Sequence, residues 1–358
     1  MNKKELSIVA AFVIFGIFST LNSCSNTTKK ALQKSVYASD VISFFDDWKL
    51  ILGDGSNAGF ANNFENKDYF YTANDSNSDW VVFKAPNGGD THGTSNNTRT
   101  ELAQVKKWYP KTANDKLKAT LKIMNVSSTG DARVAASYSV VVGQIHSADG
   151  HENEPLKIFY KKFPGHTKGS VFWHYEINTK GDNNSGRWDY SSAVWGNDFS
   201  VIGTEVNTYP EEPKEGIALG EEFSYEIEVK EGIMTLKFSS KGHETKMFTK
   251  NLIVSEYTTT ADIPEQTQKL FVPIGQDGVE REKAYAGEGC FFKLGCYNQT
   301  NGKSPEVNKN WCSGAETHGG DVQKQYADGN YAEVWFKTGS ISISDAAVSN
   351  EGYFTKND

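Results

Sequence analysis

Cysteine is scarce in this chain: 358 residues carry four, at Cys24, Cys290, Cys296 and Cys312. Their spacing lacks the short paired C-x-x-C pattern of a zinc site, and no other metal-ligand cluster is visible. Cys290 and Cys296 share one apparent strand, about 20 Å apart at strand rise, so they cannot bond to each other. Any disulfide must use Cys312, and its partner is left open. Positive charge is also short. A net charge of −8 argues against a general nucleic-acid binder, whose affinity rests on a basic surface. A polyanionic ligand then needs cations concentrated locally. Lys157, Lys161 and Lys162 form one such cluster, read on their own as solvated loop charges. Helical periodicity is nearly missing, with short helices expected only over residues 41–48 and 263–269. No internal repeat occurs. Nor is there an E-x-D-x-x-E strand of the kind that carries paired carboxylates in sandwich glycosidases; Glu226-Ile227-Glu228 has the alternation alone.

What is present begins with an export signal. Lys3 and Lys4 precede an apolar run over residues 8–18, shorter than a spanning helix needs. Leu21-Asn22-Ser23-Cys24 resembles the lipobox of bacterial lipoproteins, with Cys24 as the lipidated first residue of the mature chain. Asn22 departs from the usual small residue there, and an ordinary secretory signal cut nearby is the alternative. Either reading exports the protein and permits disulfides. Residues 25–34 are polar and aperiodic, as in a tether. The expected organisation is a signal peptide over 1–23, a tether over 24–39 and one domain over 40–358.

That domain reads as mostly β. Residues 117–126, 134–146, 171–177, 223–229, 234–238, 291–299 and 331–343 suit strands, and Glu231-Gly232 suits a hairpin turn. Many strands separated by turns predict an all-β sandwich or jelly roll. Residues 149–222 read as long loops around a few strands, and loops are where sites are built.

Three segments carry polar side chains on alternating positions. In Phe291-Phe292-Lys293-Leu294-Gly295-Cys296-Tyr297-Asn298-Gln299, the residues Lys293, Tyr297 and Gln299 share one face and Gly295 leaves a gap. Phe292, Leu294 and Cys296 face a core. In residues 134–146, strict alternation puts Val134, Ala136, Tyr138, Val140, Val142, Gln144 and His146 on one face. In Thr98-Arg99-Thr100-Glu101-Leu102-Ala103, Arg99 and Glu101 face together. Arg99 offers a planar fork for a carboxylate, held by Glu101. Alone, His146 is more simply a satisfied histidine and Arg99–Glu101 a surface ion pair.

Together the segments resemble polysaccharide lyase family 7, the alginate lyases. That family shows R-T-E-L-R, then Q-I-H or Q-V-H, then Y-F-K-A-G-x-Y-N-Q. Here these stand as Arg99 to Ala103, Gln144-Ile145-His146, and Phe291 to Gln299. Phe45-Asp46-Asp47-Trp48-Lys49-Leu50 also looks like the family's opening. Ala103 replaces the second Arg, so one contact to the substrate's acid groups is missing or supplied elsewhere. Phe291 and Leu294 replace Tyr and Ala, a change expected only to alter packing. The resemblance implies a jelly roll of two antiparallel sheets with a concave, concanavalin-like substrate cleft.

It also implies β-elimination on a uronate chain. A lyase removes the C5 proton beside the sugar carboxylate and expels O4. The site must first neutralise that carboxylate and stabilise the developing charge. By resemblance, Arg99, Gln144 and His146 do this, Tyr297 transfers the proton, and Lys293, Gln299, Glu101 and Asn298 hold substrate. A phenol titrates near about 10, so a nearby cation such as Arg99 or Lys293 would be needed to favour the phenolate. In mannuronate the C5 proton and O4 lie on one side, so one tyrosine serves as base and then acid. In guluronate they lie on opposite sides, and His146 is the base with Tyr297 as acid. Q-I-H points to guluronate-containing blocks. No cofactor is required, and a structural calcium is left open. The implied partners are alginate polymer or oligosaccharides and, through Cys24, a bacterial outer membrane; nucleic acid is not a partner, and a monomer is expected.

Extra length over residues 149–169 and 181–220 is read as loops that close one cleft end, which favours exolytic release. Two rivals are a polysaccharide-binding lipoprotein, using Trp173, Trp188 and Trp195, and a sandwich glycoside hydrolase. The retained Tyr, His, Gln and Arg disfavour the first, and the missing carboxylate motif disfavours the second.

Overall fold

The computed structural model describes residues 37–344 apart from 41, 43, 94, 149–153, 178–187, 254–288 and 339. Among the described residues the strands, in chain order, are β1 Trp48–Ile51, β2 Asn57–Gly59, β3 Phe70–Asn74, β4 Asp79–Pro86, β5 Arg99–Gln104, β6 Asn114–Asn125, β7 Ser139–Ser147, β8 Leu156–Lys161, β9 Lys168–Ile177, β10 Trp188–Trp195, β11 Ile217–Ala218, β12 Glu222–Lys230, β13 Ile233–Ser240, β14 Lys246–Asn251, β15 Cys290–Asn298, β16 Tyr331–Lys337 and β17 Ser342–Ile343. They form two antiparallel sheets. One runs β10-β9-β8-β7-β15-β5-β1-β2, with β11 beside β9; the other runs β14-β13-β12-β6-β16-β4-β3, with β17 beside β6. This is the expected jelly-roll sandwich.

Alternation explains how the sheets stack. In β12, Phe223, Tyr225, Ile227 and Val229 are buried while Ser224, Glu226 and Glu228 are not. The inward set meets Leu50, Leu102, Val140, Trp173 and Phe292 of the other sheet in one core. Each fully buried side chain of this size contributes about 1.5–3 kcal/mol of transfer free energy. The turn joining β12 to β13 has positive φ at both Glu231 (50°) and Gly232 (86°), which matches the twist of a two-residue hairpin.

Several expectations need correction. Among the described residues of 41–48 the helical element is the 3-10 turn Phe45–Asp47, and the helix expected over 263–269 lies outside the described residues. One α-helix is described, α1 at Val322–Ala327, capped by Asp321, which accepts from the Lys324 amide at 3.1 Å. The strand expected from 134 starts at Ser139, because Tyr138 has φ 63° and ends the extended run. The strand expected over 331–343 is broken into β16 and β17. Residues 149–169 are not simply loop, since β8 lies within them and gives the sheet a further strand. On β8, Lys157 and Lys161 are 3% and 4% exposed, so they are not solvated loop charges. Trp173 and Trp195 are core residues rather than exposed platforms. Cys290, Cys296 and Cys312 are all buried, and none of the three forms a disulfide with another.

Three loops are stitched together beyond the β7 start and the β15 end. Ala132 N donates to Val206 O at 2.9 Å and accepts at its carbonyl from Gly203 N at 2.7 Å. Asp131 N donates to Ser313 O at 2.8 Å and Ala136 N to Asn310 O at 3.0 Å. Lys161 Nζ ties the same region, donating to Ala135 O (2.8 Å) and Val201 O (3.2 Å). Burial pushes its amine down to about 7.

Candidate active site

β15 is the centre of the site because it pairs with β5 on one side and β7 on the other. Its register against β5 is regular and sets Tyr297 beside Arg99, Gly295 beside Glu101 and Lys293 beside Ala103. On the β7 side, Lys293 is opposite Gln144 and Tyr297 opposite Val141. The faces follow. Phe292, Leu294 and Cys296 point into the core, and Tyr297 packs with Val141, Phe159 and Phe172 on the opposite face.

β7 does not alternate as its sequence suggests. Val141 pairs with Phe159 and Gly143 with Ile158, so Val142 is an extra residue against β8. A bulge of this kind re-aims the side chains that follow it. Val140 and Val142 therefore face the core, whereas Gln144 and His146 face the site. Gly143 permits this: a Cβ there would sit 2.9 Å from the Tyr225 ring, whose hydroxyl donates to Val142 O at 3.2 Å.

Gly295 is the second enabling residue. Its φ of 149° suits glycine, and a Cβ would lie 2.5 Å from Thr100 O. With no side chain at this position, Glu101 of β5 reaches across β15 to accept a hydrogen bond from Gln144 Nε2 of β7. The other Glu101 oxygen lies 3.1 Å from Lys293 Nζ and 3.7 Å from an Arg99 nitrogen. One carboxylate, 1% exposed, thus organises three site residues. Burial pulls the Lys293 amine below its ordinary value, against the pull of Glu101. Burial also opposes the Arg99 charge, but Tyr297 and Glu101 outweigh it and the guanidinium stays fully charged.

Arg99 lies over the Tyr297 ring, its guanidinium carbon 3.8 Å from the ring centre. The Tyr297 hydroxyl is 3.2 Å from Ser95 Oγ, a partner that no sequence signal marked. Arg99 Nε, a donor, and Gln144 Oε1, an acceptor, are buried and carry no hydrogen bond within the protein. His146 lies against Phe291, the rings 5.1 Å apart and tilted by 30°, and its Nδ1 lies 2.7 Å from Ser147 O. That contact fixes the proton on Nδ1 and leaves the Nε2 lone pair as the basic atom. Burial first, and Lys293 second, push the imidazole down to about 4, so it is neutral at pH 7.

Two expected substrate holders are placed elsewhere. Asn298 is fully buried and turned toward β4, donating to Pro86 O and Asn87 Oδ1, each at 3.0 Å, while its own oxygen accepts from Thr300 N. Its polar capacity is spent on the scaffold, which corrects its assignment to substrate. Gln299 lies past the strand end, 4% exposed, with Nε2 3.4 Å from Tyr297 O, and contributes to the shape of the strand end. Residues not anticipated line the other side. Phe199 and Trp311 stack at 4.9 Å beside Phe159, Phe172 and His174. Glu154, half-buried, continues through Lys157 to Glu176 as a chain of charges, the last two buried. The alternation Lys157, Phe159, Lys161 was the signal available for this wall. Glu226 and Glu228 sit on the other sheet's outer face, paired with Lys116 and Lys118. Among the described residues no cluster of three or more His, Cys, Asp or Glu is arranged for a metal.

Comparison with known proteins fits this geometry. The alginate lyase family model matches residues 42–343. The crystal structure of the exolytic PL7 alginate lyase AlyA5 from Zobellia galactanivorans is 63% identical, with 86% of this chain and 97% of that one covered at a TM-score of 0.78. A curated alginate lyase from Klebsiella pneumoniae is 26% identical over 276 residues, 68% of this chain and 75% of its own. The solved structure of a Klebsiella pneumoniae alginate lyase shares the fold at 21% identity, 87% and 99% coverage and a TM-score of 0.59. A polysaccharide lyase with the site residues carried on this sandwich is what the sequence motifs implied: the chain belongs to polysaccharide lyase family 7, the alginate lyases.

Proposed function

We propose that the enzyme cleaves the 4-O-glycosidic bond of alginate by β-elimination, leaving 4,5-unsaturated uronate ends, and that it accepts guluronate-containing chains. The observation that carries this reading is the convergence of Arg99, Gln144 and Lys293 on the Glu101 carboxylate, with Tyr297 against Arg99 and His146 in the field of Lys293 and Arg99. Arg99 receives the sugar carboxylate through its guanidinium N–H groups, and Gln144 through the second N–H of its amide, the first being held by Glu101. Lys293 adds charge, and these donors are fixed before substrate arrives, which is where electrostatic catalysis gains most. Tyr297 gives a proton to O4. On mannuronate it first takes the C5 proton; on guluronate His146 Nε2 takes it from the other side. The chemistry is carried by side chains and calls on no cofactor.

Exolytic release is supported by the relative described as exolytic at 63% identity and by the stitched loops beside Tyr297. An alginate lyase A1-II′ variant, similar at 18% identity and a TM-score of 0.51, was solved in complex with product (GGG), which is compatible with guluronate here. Cys24 lies outside the described residues; lipid anchoring there, to a bacterial outer membrane, rests on the lipobox and is tested by release of a Cys24→Ser variant from membranes. A monomer is the simplest assembly.

The deciding experiment digests defined mannuronate and guluronate blocks and follows ultraviolet absorbance with product length over time. Unsaturated products that are small from the first minutes support the reading. Early mid-length oligomers would overturn the exolytic mode, and saturated reducing ends would overturn elimination.

A further inference from the structure

A line of charge leads away from His146 and is used by none of the steps above. Glu154 lies two residues before the start of β8, and its carbonyl accepts from Glu176 N of β9 at 3.2 Å. Its Oε1 is 3.6 Å from His146 Nε2, and its Oε2 is 3.1 Å from Lys157 Nζ. Lys157 Nζ is in turn 2.6 Å from Glu176 Oε2. Lys157 and Glu176 are 3% and 0% exposed, so the chain is built into the sheet rather than laid on its surface. The two oxygens of Glu154 thus have separate tasks, one held by a buried cation and one aimed at the imidazole.

We infer that Glu154 is a positioning residue for His146, holding the imidazole for C5 of guluronate and balancing the charge it acquires. This rests on the guluronate reading given above. In that step the C5–H bond breaks and an Nε2–H bond forms. The electron pair becomes the C4–C5 double bond as the C4–O4 bond breaks, and Tyr297 gives its phenolic proton to O4. The base becomes an imidazolium with Nδ1–H still on Ser147 O. Lys293 of β15 and Arg99 of β5 both disfavour that cation, while Glu154 favours it. Phe291 covers the ring, and Gln144 on the same strand is engaged with Glu101. Once Nε2 carries the proton, the carboxylate is near enough to accept it in a hydrogen bond after a small closure. Lys157 keeps the carboxylate from swinging away, and Glu176 compensates Lys157.

The test is Glu154→Gln, which keeps shape and removes charge. The ratio of kcat on oligoguluronate to kcat on oligomannuronate should fall about tenfold, within the reach of general-base effects, with KM little changed. The imidazole titration of His146 followed by NMR should move to lower pH, because the anion that favours imidazolium is gone. Glu154→Asp, with the charge kept at shorter reach, should give an intermediate ratio. An unchanged ratio, or equal loss on both substrates with an unmoved imidazole titration, would overturn the inference. His146→Asn separates the two levels. If it loses oligoguluronate activity while Glu154→Gln keeps it, the inference alone fails; if His146→Asn keeps that activity, the guluronate reading fails and takes the inference with it.

Discussion

The two faces of the sandwich carry the same kinds of ion pair in opposite settings. On the outer face of β6 and β12, Lys116 lies 3.0 Å from Glu226 and 2.9 Å from Glu228, and Lys118 lies 2.7 Å from Glu226. On the face around β15, Lys293 and Arg99 meet Glu101 at 3.1 and 3.7 Å. The distances are no shorter in the site. What differs is water: the Glu226 side chain is 26% exposed and that of Glu101 is 2% exposed. Exposed pairs are screened and contribute little, while a buried pair broken on one side leaves a charge without compensation. Function therefore sits where ion pairs are hardest to change.

The largest effect expected is on chemistry. Tyr297→Phe keeps the ring under Arg99 and removes only the hydroxyl that faces Ser95. Turnover on every alginate block should fall by at least about 100-fold, at the low end of the range for a lost acid–base group, with an unchanged unfolding midpoint. A folded variant with near-normal production of unsaturated uronate would remove Tyr297 from the reaction.

Next is Glu101→Gln. The amide can still meet Gln144 but leaves Lys293 and Arg99 facing a neutral group in the interior. Stability should drop by about 3 kcal/mol or more, measured by urea unfolding, and activity should fall with it. A loss under about 1 kcal/mol would show that the two faces do not differ in the way argued.

Acid should separate the faces by where stability is lost. His146 titrates near 4 in the folded protein, against about 6.5 when unfolded. Above pH 6.5 both states are neutral and the contribution is complete. As pH falls from 6.5 toward 4 the unfolded chain takes the proton first, so stability declines; below 4 this decline ends. On the outer face, burial alone would raise Glu226, but Lys118 and Lys116 outweigh it and hold the carboxylate below its ordinary 4.5, so its share is lost only under that pH. Unfolding free energies from pH 8 to 4 should show the histidine slope in wild type and not in His146→Asn.

Much of this was legible in the sequence, for physical reasons. β5 and the β15 side facing it are regular, so alternation placed Arg99, Glu101, Lys293 and Tyr297 correctly. The hairpin at Glu231-Gly232 was local turn chemistry. β7 failed because its faces are set by a bulge, and the glycine at 143 was the only mark of it. Asn298 was misplaced because a motif records what a family keeps without saying whether the reason is substrate or scaffold. Ser95 and Glu154 were invisible because each is brought in by tertiary structure from a segment with no pattern of its own.

The smallest effect expected closes the comparison. Glu226→Gln is the same chemical change as Glu101→Gln, made on the outer face. It removes the shared partner of Lys116 and Lys118, yet Lys116 keeps Glu228 at 2.9 Å and Lys118, 45% exposed, turns to water. The strand keeps its ladder to β6 and β13, and its inward residues stay in the core. Stability should change by less than about 1 kcal/mol, and that change should shrink further in high salt, since screening acts on exposed charges. Activity should be unaltered, because no site residue touches this face. A loss here as large as that of Glu101→Gln would mean that pair count, and not access to water, governs how this sandwich uses charge.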